Sequence, residues 1–570
     1  MKRWTAFALA AAAALVLAII GTTPPGPLPA NAPVKDFSAA RAMADVRVIA
    51  ARPHATGTAE NAEVRRQIVE RLRAMGLEVR EAALPLPPRS TERMKGWSKG
   101  AHAPTMMTNV VGVLPGKDRA LPAVALMAHH DTVWGSPGAA DDTAGVATIL
   151  ESVRAIKARG PAKRNLAVVI TDAEELGLSG AEGFFASDPL RDRIGTIVNM
   201  EARGGGGRTT LFQTSPQNGA AIALYNNVVS RPGASSLATF IYSVLPNDTD
   251  LSVSLRASKP GYNFAFIGRP GLYHSPKATP EALDQGALQD MGGQVLSLTD
   301  ALLRADDLPA SAPDVVFFDV FGLFLVSYPV WIGWLMVGAI VLGFGLAGRS
   351  LRGKQVAEGA ARMVLLILGA GLALFLLNLL SGAGRGANYY DRLAAIPMLE
   401  GMAAAVSLGF FLLLFRIEQI KARQIGAALP LLLIGAGAQA FAPTAAYVLL
   451  VPLLLVALAI NLKGAAAKIA GAVVAALVLG YELYLGHFVM QGVGPTMPFA
   501  AVLQLALGSL AVLLVWPGLS KPIGRRLALV ALALAVVISL WVRLDPLADT
   551  VAVYSSDKSV PAIPITKPKA

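Results

Sequence analysis

The alternation of hydrophobic and polar positions divides the chain in two. Between about residues 35 and 310, apolar residues recur with the periods of strands and amphipathic helices, broken by polar turns. After Phe317 the pattern changes to eight nearly unbroken apolar segments, at about 326–347, 362–381, 394–415, 424–441, 444–462, 469–488, 497–516 and 526–543. A ninth, WTAFALAAAAALVLAIIGT, occupies 4–22 behind Lys2 and Arg3. Segments of this length and apolarity cross a bilayer, so nine spans are expected. The first reads as an uncleaved anchor, because Pro33 beside the small residues of PLPANAPV disfavours signal-peptidase cleavage. The expected layout is an anchor and linker at 1–34, a globular domain at 35–310, a multi-span bundle at 311–543 and a tail at 544–570.

Short cytoplasmic loops carry an excess of Lys and Arg. With the N-terminus inside, alternate loops hold Arg349, Arg352 and Lys354, then Arg416, Lys421 and Arg423, then Lys463 and Lys468, then Lys521, Arg525 and Arg526. The loops between them are poorer: GAGRGANYYDR mixes two arginines with an aspartate, and FAPT and QGVGPTMP carry no charge. This places residues 35–310 and the tail on the non-cytoplasmic side. It also explains much of the net charge of +12, which comes without a concentrated basic tract, so a nucleic-acid partner is not expected. A hydrophobic share of 54% against 15% charged fits a bilayer partner. Cysteine is absent, so any metal must be held by His, Asp and Glu.

In the globular domain Val64, Ile68, Leu72 and Met75 share one helical face, with Gly76 as a stop and a strand expected after it. Four short runs then read as buried strands: LPAVALMA at 121–128, NLAVVIT at 165–171, TIVNM at 196–200 and YNFAFIG at 262–268. Between the first two, Val146, Ile149, Leu150, Val153 and Ile156 are spaced for a helix face. Strands alternating with helices predict an α/β fold with a mostly parallel mixed sheet flanked by helices. Each run leads into residues of metal-binding type: His129, His130 and Asp131, with Asp141 and Asp142 beyond a turn; Asp172, Glu174 and Glu175; Glu201; and Tyr273 with His274. Ligands bind beyond the carboxyl ends of strands in such sheets, so these loops are expected to converge. Two histidines and three carboxylates, with one carboxylate to spare, suit a pair of zinc ions.

The motifs AHHDT, PGAADDTAG, TDAEELGLSG, NMEARGGGG and LYHS, in this order over roughly residues 45–304, resemble the co-catalytic zinc aminopeptidase family that includes bacterial leucyl aminopeptidase and glutamate carboxypeptidase II. The resemblance implies a zinc-dependent exopeptidase fold and assigns roles. His129, Asp141 and Glu201 would hold one zinc and Asp141, Glu175 and His274 the other. Asp131 would orient His129, Glu174 would act as general base, and Tyr273 would stabilise the oxyanion. Glu201 departs from the aspartate common at that position, and glutamate is itself a normal zinc ligand. The anchor, the DVVFFDVFGLFLVSYP run and the further spans look like the vacuolar membrane protease and endoplasmic-reticulum metallopeptidase group. Arg203 departs from the small residue of that group, leaving open a contact with a substrate carboxylate or a pairing with a surface acid.

The remaining polar residues have plainer expectations. His130 and Asp142 are neighbours of the ligands, Asp142 in the turn after the bridge, and Asp172 is a structural strand-end acid. His54 and His102 are expected in solvated loops, NDTD at 247–250 in a turn, and GGGG at 204–207 in a flexible loop. Glu400, Glu482 and His487 are costly within spans and mark candidates for function or for interfacial water. Two competing readings stand beside a peptidase that removes N-terminal residues from peptides: a transporter or receptor with a metal-bound outer domain, and zinc-dependent glutaminyl cyclisation. Alanine-rich spans fit a bacterial inner membrane, a vacuolar or reticular membrane being the eukaryotic counterpart.

Overall fold

The computed structural model describes residues 3–245, 247–349, 353–417, 420–546 and 550–556, so Arg352 and the tail beyond Ser556 lie outside the described residues. The chain separates into two compact units. One comprises Met1–Thr22, Val315–Gly322 and Val326–Leu547; the other comprises Thr23–Asp314, Leu323–Leu325 and Ala548–Ala570.

The second unit is an α/β domain on a seven-stranded mixed sheet. Its strands are β1 (Glu78–Pro85), β2 (Met106–Leu114), β3 (Ala123–His129), β4 (Leu166–Thr171), β5 (Ile194–Ala202), β6 (Gly206–Thr214) and β7 (Gly261–Gly268), in the spatial order β1-β2-β4-β3-β5-β7-β6. The four runs marked by the sequence are the parallel centre, β4, β3, β5 and β7. Every residue of β3 and β4 is buried, which is why these strands read as continuous apolar runs.

The antiparallel strands β2 and β6, against β4 and β7, are not singled out by the apolar pattern. In β2 the run is interrupted by Asn109, fully buried because its amide donates to the Gly180 carbonyl and accepts the Asp172 N–H. β6 opens on two glycines of GGGG and buries Arg208, Thr209 and Thr210. The expected flexible loop is therefore half strand. A Cβ on Gly204 would stand 2.2 Å from the Gly268 carbonyl oxygen, so the glycine is needed for close backbone approach.

Helix Ala59–Ala74 buries Val64, Ile68 and Leu72, donates its Asn61 N–H to the capping Thr58 hydroxyl oxygen and is stopped by Gly76 at φ +81°. Helix Thr143–Ala158 buries all five apolar residues of its predicted face. Helix Gln285–Arg304 holds the sheet through Asp290, whose carboxylate accepts from Arg208 Nε at 2.6 Å and from the Thr209 N–H at 3.0 Å, wholly out of water.

In the other unit, six helices among the described residues are long and apolar enough to cross a membrane: Arg3–Thr22, Gly353–Ser381, Tyr390–Phe415, Lys421–Phe441, Gly464–Val493 and Lys521–Leu544. Three shorter apolar helices, Ile332–Gly348, Tyr447–Ala459 and Pro498–Val512, stand at the remaining expected spans. The span expected from 326 starts later. Val326–Pro329 belongs to β9 (Phe324–Pro329), which pairs with β8 (Val315–Val320), an assignment favoured by alternation in FLVSYP and by the missing N–H of Pro329. Helix Arg3–Thr22 packs on Gly464–Val493 through small residues, with Ala6 and Ala10 against Ala475 and Ala476. A Cβ on Gly480 would meet the Ala14 carbonyl oxygen at 2.9 Å.

Of the polar residues in spans, His487 Nδ1 lies 2.9 Å from a Glu400 oxygen and its Nε2 lies 2.8 Å from the Gln491 amide nitrogen. Glu482 is buried, and among the described residues neither carboxylate oxygen has a hydrogen-bond partner. Tyr484 donates its hydroxyl to the carboxylate of Asp319 on β8, at 3.0 and 3.1 Å.

Removing one member of a buried ion pair leaves the other uncompensated. Arg208→Leu is expected to destabilise the α/β unit by about 3–5 kcal/mol, read as a lowered thermal unfolding midpoint, while Arg208→Leu with Asp290→Leu recovers much of that loss.

Candidate metal centre

The parallel strands deliver their polar ends to one place. His129 closes β3, Glu174 and Glu175 follow β4, Glu201 lies near the end of β5, and His274 follows β7. The PGAADD turn returns Asp141 to the same place. One oxygen of Asp141 lies 3.2 Å from His129 Nε2, and the other lies 3.3 Å from His274 Nε2. His129 Nε2 also lies 3.8 Å from a Glu201 oxygen, and His274 Nε2 lies 3.3 Å from Glu175 Oε1.

Two donor sets result, His129–Asp141–Glu201 and Asp141–Glu175–His274, with the donor atoms of each within 4.8 Å of one another. A further grouping of His129 with Glu174 and Glu175 meets the same distance condition, since Glu174 comes to 4.0 Å from His129 Nε2.

The surroundings hold these groups in place. His129 Nδ1 lies 2.9 Å from the Asp131 carbonyl oxygen and 3.5 Å from its carboxylate, which leaves Nε2 turned toward Asp141. The same Asp131 carboxylate accepts the Glu174 N–H at 3.0 Å, the Glu175 N–H at 3.3 Å and the Thr56 hydroxyl at 3.2 Å. It thus ties the histidine on β3 to the acidic turn after β4. Asp142 faces away from the donor sets. It accepts the His129 N–H at 3.2 Å and caps helix Thr143–Ala158 through the Gly145 N–H at 3.1 Å, the turn role expected of it.

His130 and Asp172 likewise serve the scaffold. His130 Nε2 faces the Thr108 carbonyl oxygen, and Asp172 accepts the Thr108 and Ala173 N–H groups. His54 is not solvated as expected: its ring is buried and its Nδ1 sits 2.8 Å from the Arg52 carbonyl oxygen. Burial pulls its pKa down to about 4. His102 is half-buried beside Trp134, at 6.1 Å between ring centres. The short loop sequences gave no apolar period by which either burial is visible.

The electrostatics are those of crowded acids in a dry place. Burial pushes Glu174 and Glu201 well above the ordinary carboxylate range, opposed by His129 and reinforced by neighbouring carboxylates. Burial disfavours the charged form of His274, but Glu175 and Asp141 outweigh it and raise its pKa to about 9. Imidazole nitrogens and carboxylate oxygens in two overlapping sets fit hard or borderline divalent cations, zinc among them.

A further buried acid belongs to this field. Asp250, from NDTD, is not in the expected turn but opens helix Asp250–Arg256, accepts from the Thr171 hydroxyl and is pushed up to about 6 by burial. Its charge acts on both Glu174 and Glu201. The Thr249–Asp250 pair has the pattern of a helix start, the signal by which it could have been placed. Arg203 holds its guanidinium 6.0 Å from the centre of the Tyr273 ring, and Tyr273 stacks on His274 at 3.8 Å.

Residues 109–299 match the model of Peptidase family M28. Endoplasmic reticulum metallopeptidase 1 of Homo sapiens is 32% identical over 245 residues, covering 42% of this chain and 27% of that protein. Vacuolar membrane protease of Lachancea thermotolerans is 32% identical over 225 residues, covering 39% of this chain and 23% of that protein. The chain thus matches about a quarter of the length of these relatives. Among solved structures, the aminopeptidase from Aneurinibacillus sp. strain AM-1 is similar at 14% identity, covering 49% of this chain and 97% of that one, with a TM-score of 0.39.

The geometry of the α/β unit makes Asp131 the support of both a candidate donor and the acidic turn. Asp131→Ala is expected to weaken zinc retention about 10–100-fold, measured by competition with a chromophoric chelator, with secondary structure unchanged by circular dichroism.

Proposed function

We propose that the chain is a membrane-anchored two-zinc exopeptidase that removes N-terminal residues from peptides on the non-cytoplasmic side. The observation that carries the reading is the division of Asp141, whose two oxygens face two different histidines, each backed by a second carboxylate. In this assignment His129, Asp141 and Glu201 hold one zinc, and Asp141, Glu175 and His274 the other. Zinc so held supplies Lewis acidity to a peptide carbonyl and to the attacking water.

The protein's own groups do the rest. Asp131 fixes the tautomer of His129 that presents Nε2. Glu174, beside both donor sets but needed by neither, accepts the proton of the attacking water and passes it to the leaving amine. Tyr273, next to the donor His274, stabilises the negative charge that develops on the carbonyl oxygen. Arg203, over the Tyr273 ring, lies where it can meet a negatively charged substrate group.

The loop charges support the sidedness. The names of the relatives place them at reticular and vacuolar membranes, while the alanine-rich spans fit a bacterial cell membrane; both are membranes with a non-cytoplasmic face for the domain.

Glu174→Gln in the detergent-solubilised full chain is expected to abolish hydrolysis while leaving two equivalents of zinc bound. Retained turnover would remove the proposed base. Stripping the wild-type chain with chelator is expected to abolish turnover, with recovery on adding zinc. A peptide series with free, acetylated and glutaminyl N-termini identifies the reaction: cleavage confined to free amines supports an aminopeptidase, and cyclisation of the glutaminyl peptide without cleavage of the others would overturn it.

A further inference from the structure

The segment that follows helix Lys521–Leu544 belongs to the α/β unit and meets one candidate donor. The described residues 550–556 belong to the same compact unit as the sheet, and Thr550, Val551 and Ser555 are buried in it. The Val551 N–H donates to the His274 carbonyl at 3.0 Å, and the Thr550 hydroxyl donates to the same oxygen at 3.3 Å. Tyr554 lays its ring on the His274 imidazole at 4.9 Å between centres and 16° between planes. Trp97, at the end of helix Pro88–Trp97, meets the Tyr554 ring edge-on at 5.9 Å.

These contacts bear on a residue that cannot keep its conformation alone. His274 has φ +51°, the left-handed region that side chains with a Cβ occupy at a cost. Such a conformation persists where the surroundings over-determine it. Here the surroundings act on both sides of the residue. Two hydrogen bonds fix its carbonyl, and two aromatic rings fix its imidazole, since Tyr273 stacks at 3.8 Å and 24°. At these separations the two tyrosine rings would overlap if they shared one face of the imidazole, so they flank it.

We propose that the segment 550–556 is a structural part of the metal centre, and that Tyr554 is a positioning residue that clamps His274 against Tyr273 so that Nε2 faces Asp141 and Glu175. The inference rests on the two-zinc reading above. It makes the two metal positions unequal: His129 is held within the sheet by Asp131, whereas His274 is held by a segment more than two hundred residues away along the chain. Loosening the clamp should therefore affect the position of Asp141, Glu175 and His274 first.

The test uses the full chain in detergent and follows zinc release against a graded chelator, with kcat and KM measured in parallel. Wild type is expected to lose its two equivalents at similar chelator strength. Tyr554→Ala is expected to lose one equivalent at about tenfold lower chelator strength and to lower kcat, with KM little changed. Tyr554→Phe, which keeps the ring, is expected to restore both properties. Tyr554→Ala indistinguishable from wild type in zinc release would overturn the clamp, as would Tyr554→Phe as impaired as Tyr554→Ala. A wild-type chain that holds no zinc would instead sink the two-zinc reading and this inference with it, so the two failures are told apart before any variant is made.

Discussion

Everything in the α/β unit is arranged around a single carboxylate that serves two imidazoles. Asp141 stands 3.2 Å from one histidine nitrogen and 3.3 Å from the other. Bringing those nitrogens to the same side chain requires the end of β3 and the loop after β7 to open onto one space. Burying such a group is costly unless its charge is matched. The site adds Glu174, Glu175 and Glu201 and so increases the mismatch instead of relieving it, as their raised affinity for protons records. A fold bears that arrangement only where the crowded charge is put to use.

The sheet supplies the means. Its parallel centre points the carboxyl ends of four strands the same way, and the loops beyond those ends hold the polar groups. Neighbouring residues with similar chemistry then take different work. Of two adjacent aspartates, Asp141 faces the histidines while Asp142 caps a helix and accepts the backbone N–H of His129. Of two adjacent histidines, His129 joins the donors and His130 braces β2 through Thr108. Asp131 links both levels, holding an imidazole and two backbone N–H groups of the acidic turn.

The parallel strands and the gathering of metal-binding residue types at their ends were legible in the sequence because both faces of those strands are covered, so the apolar runs are unbroken, and because polar groups follow each run; the choice among adjacent residues came from the family resemblance. The membrane helices were legible for the same reason of uninterrupted apolarity. What escaped was whatever mixes buried polar groups into structure. β2 is broken by Asn109 and β6 by Arg208, residues whose partners, Gly180 and Asp290, lie far along the chain and have no local signature. Asp250 escaped because its burial is decided by the site it faces. The part played by 550–556 left no trace at all, since a seven-residue turn of ordinary composition acquires meaning only through the histidine it covers.

The first helix has a consequence for how the protein is made. Arg3–Thr22 precedes the α/β unit along the chain, yet the surface it packs on, Gly464–Val493, is synthesised only after that unit and most of the other spans. Its packing face therefore exists well before the groove that receives it. The face is made of Ala6, Ala10, Ala14 and Gly21, residues with almost no side chain to mispair with passing helices. A stripe of small residues is thus a way of waiting: it is inert in lipid and binds tightly only when a matching groove, marked by Gly480, finally arrives.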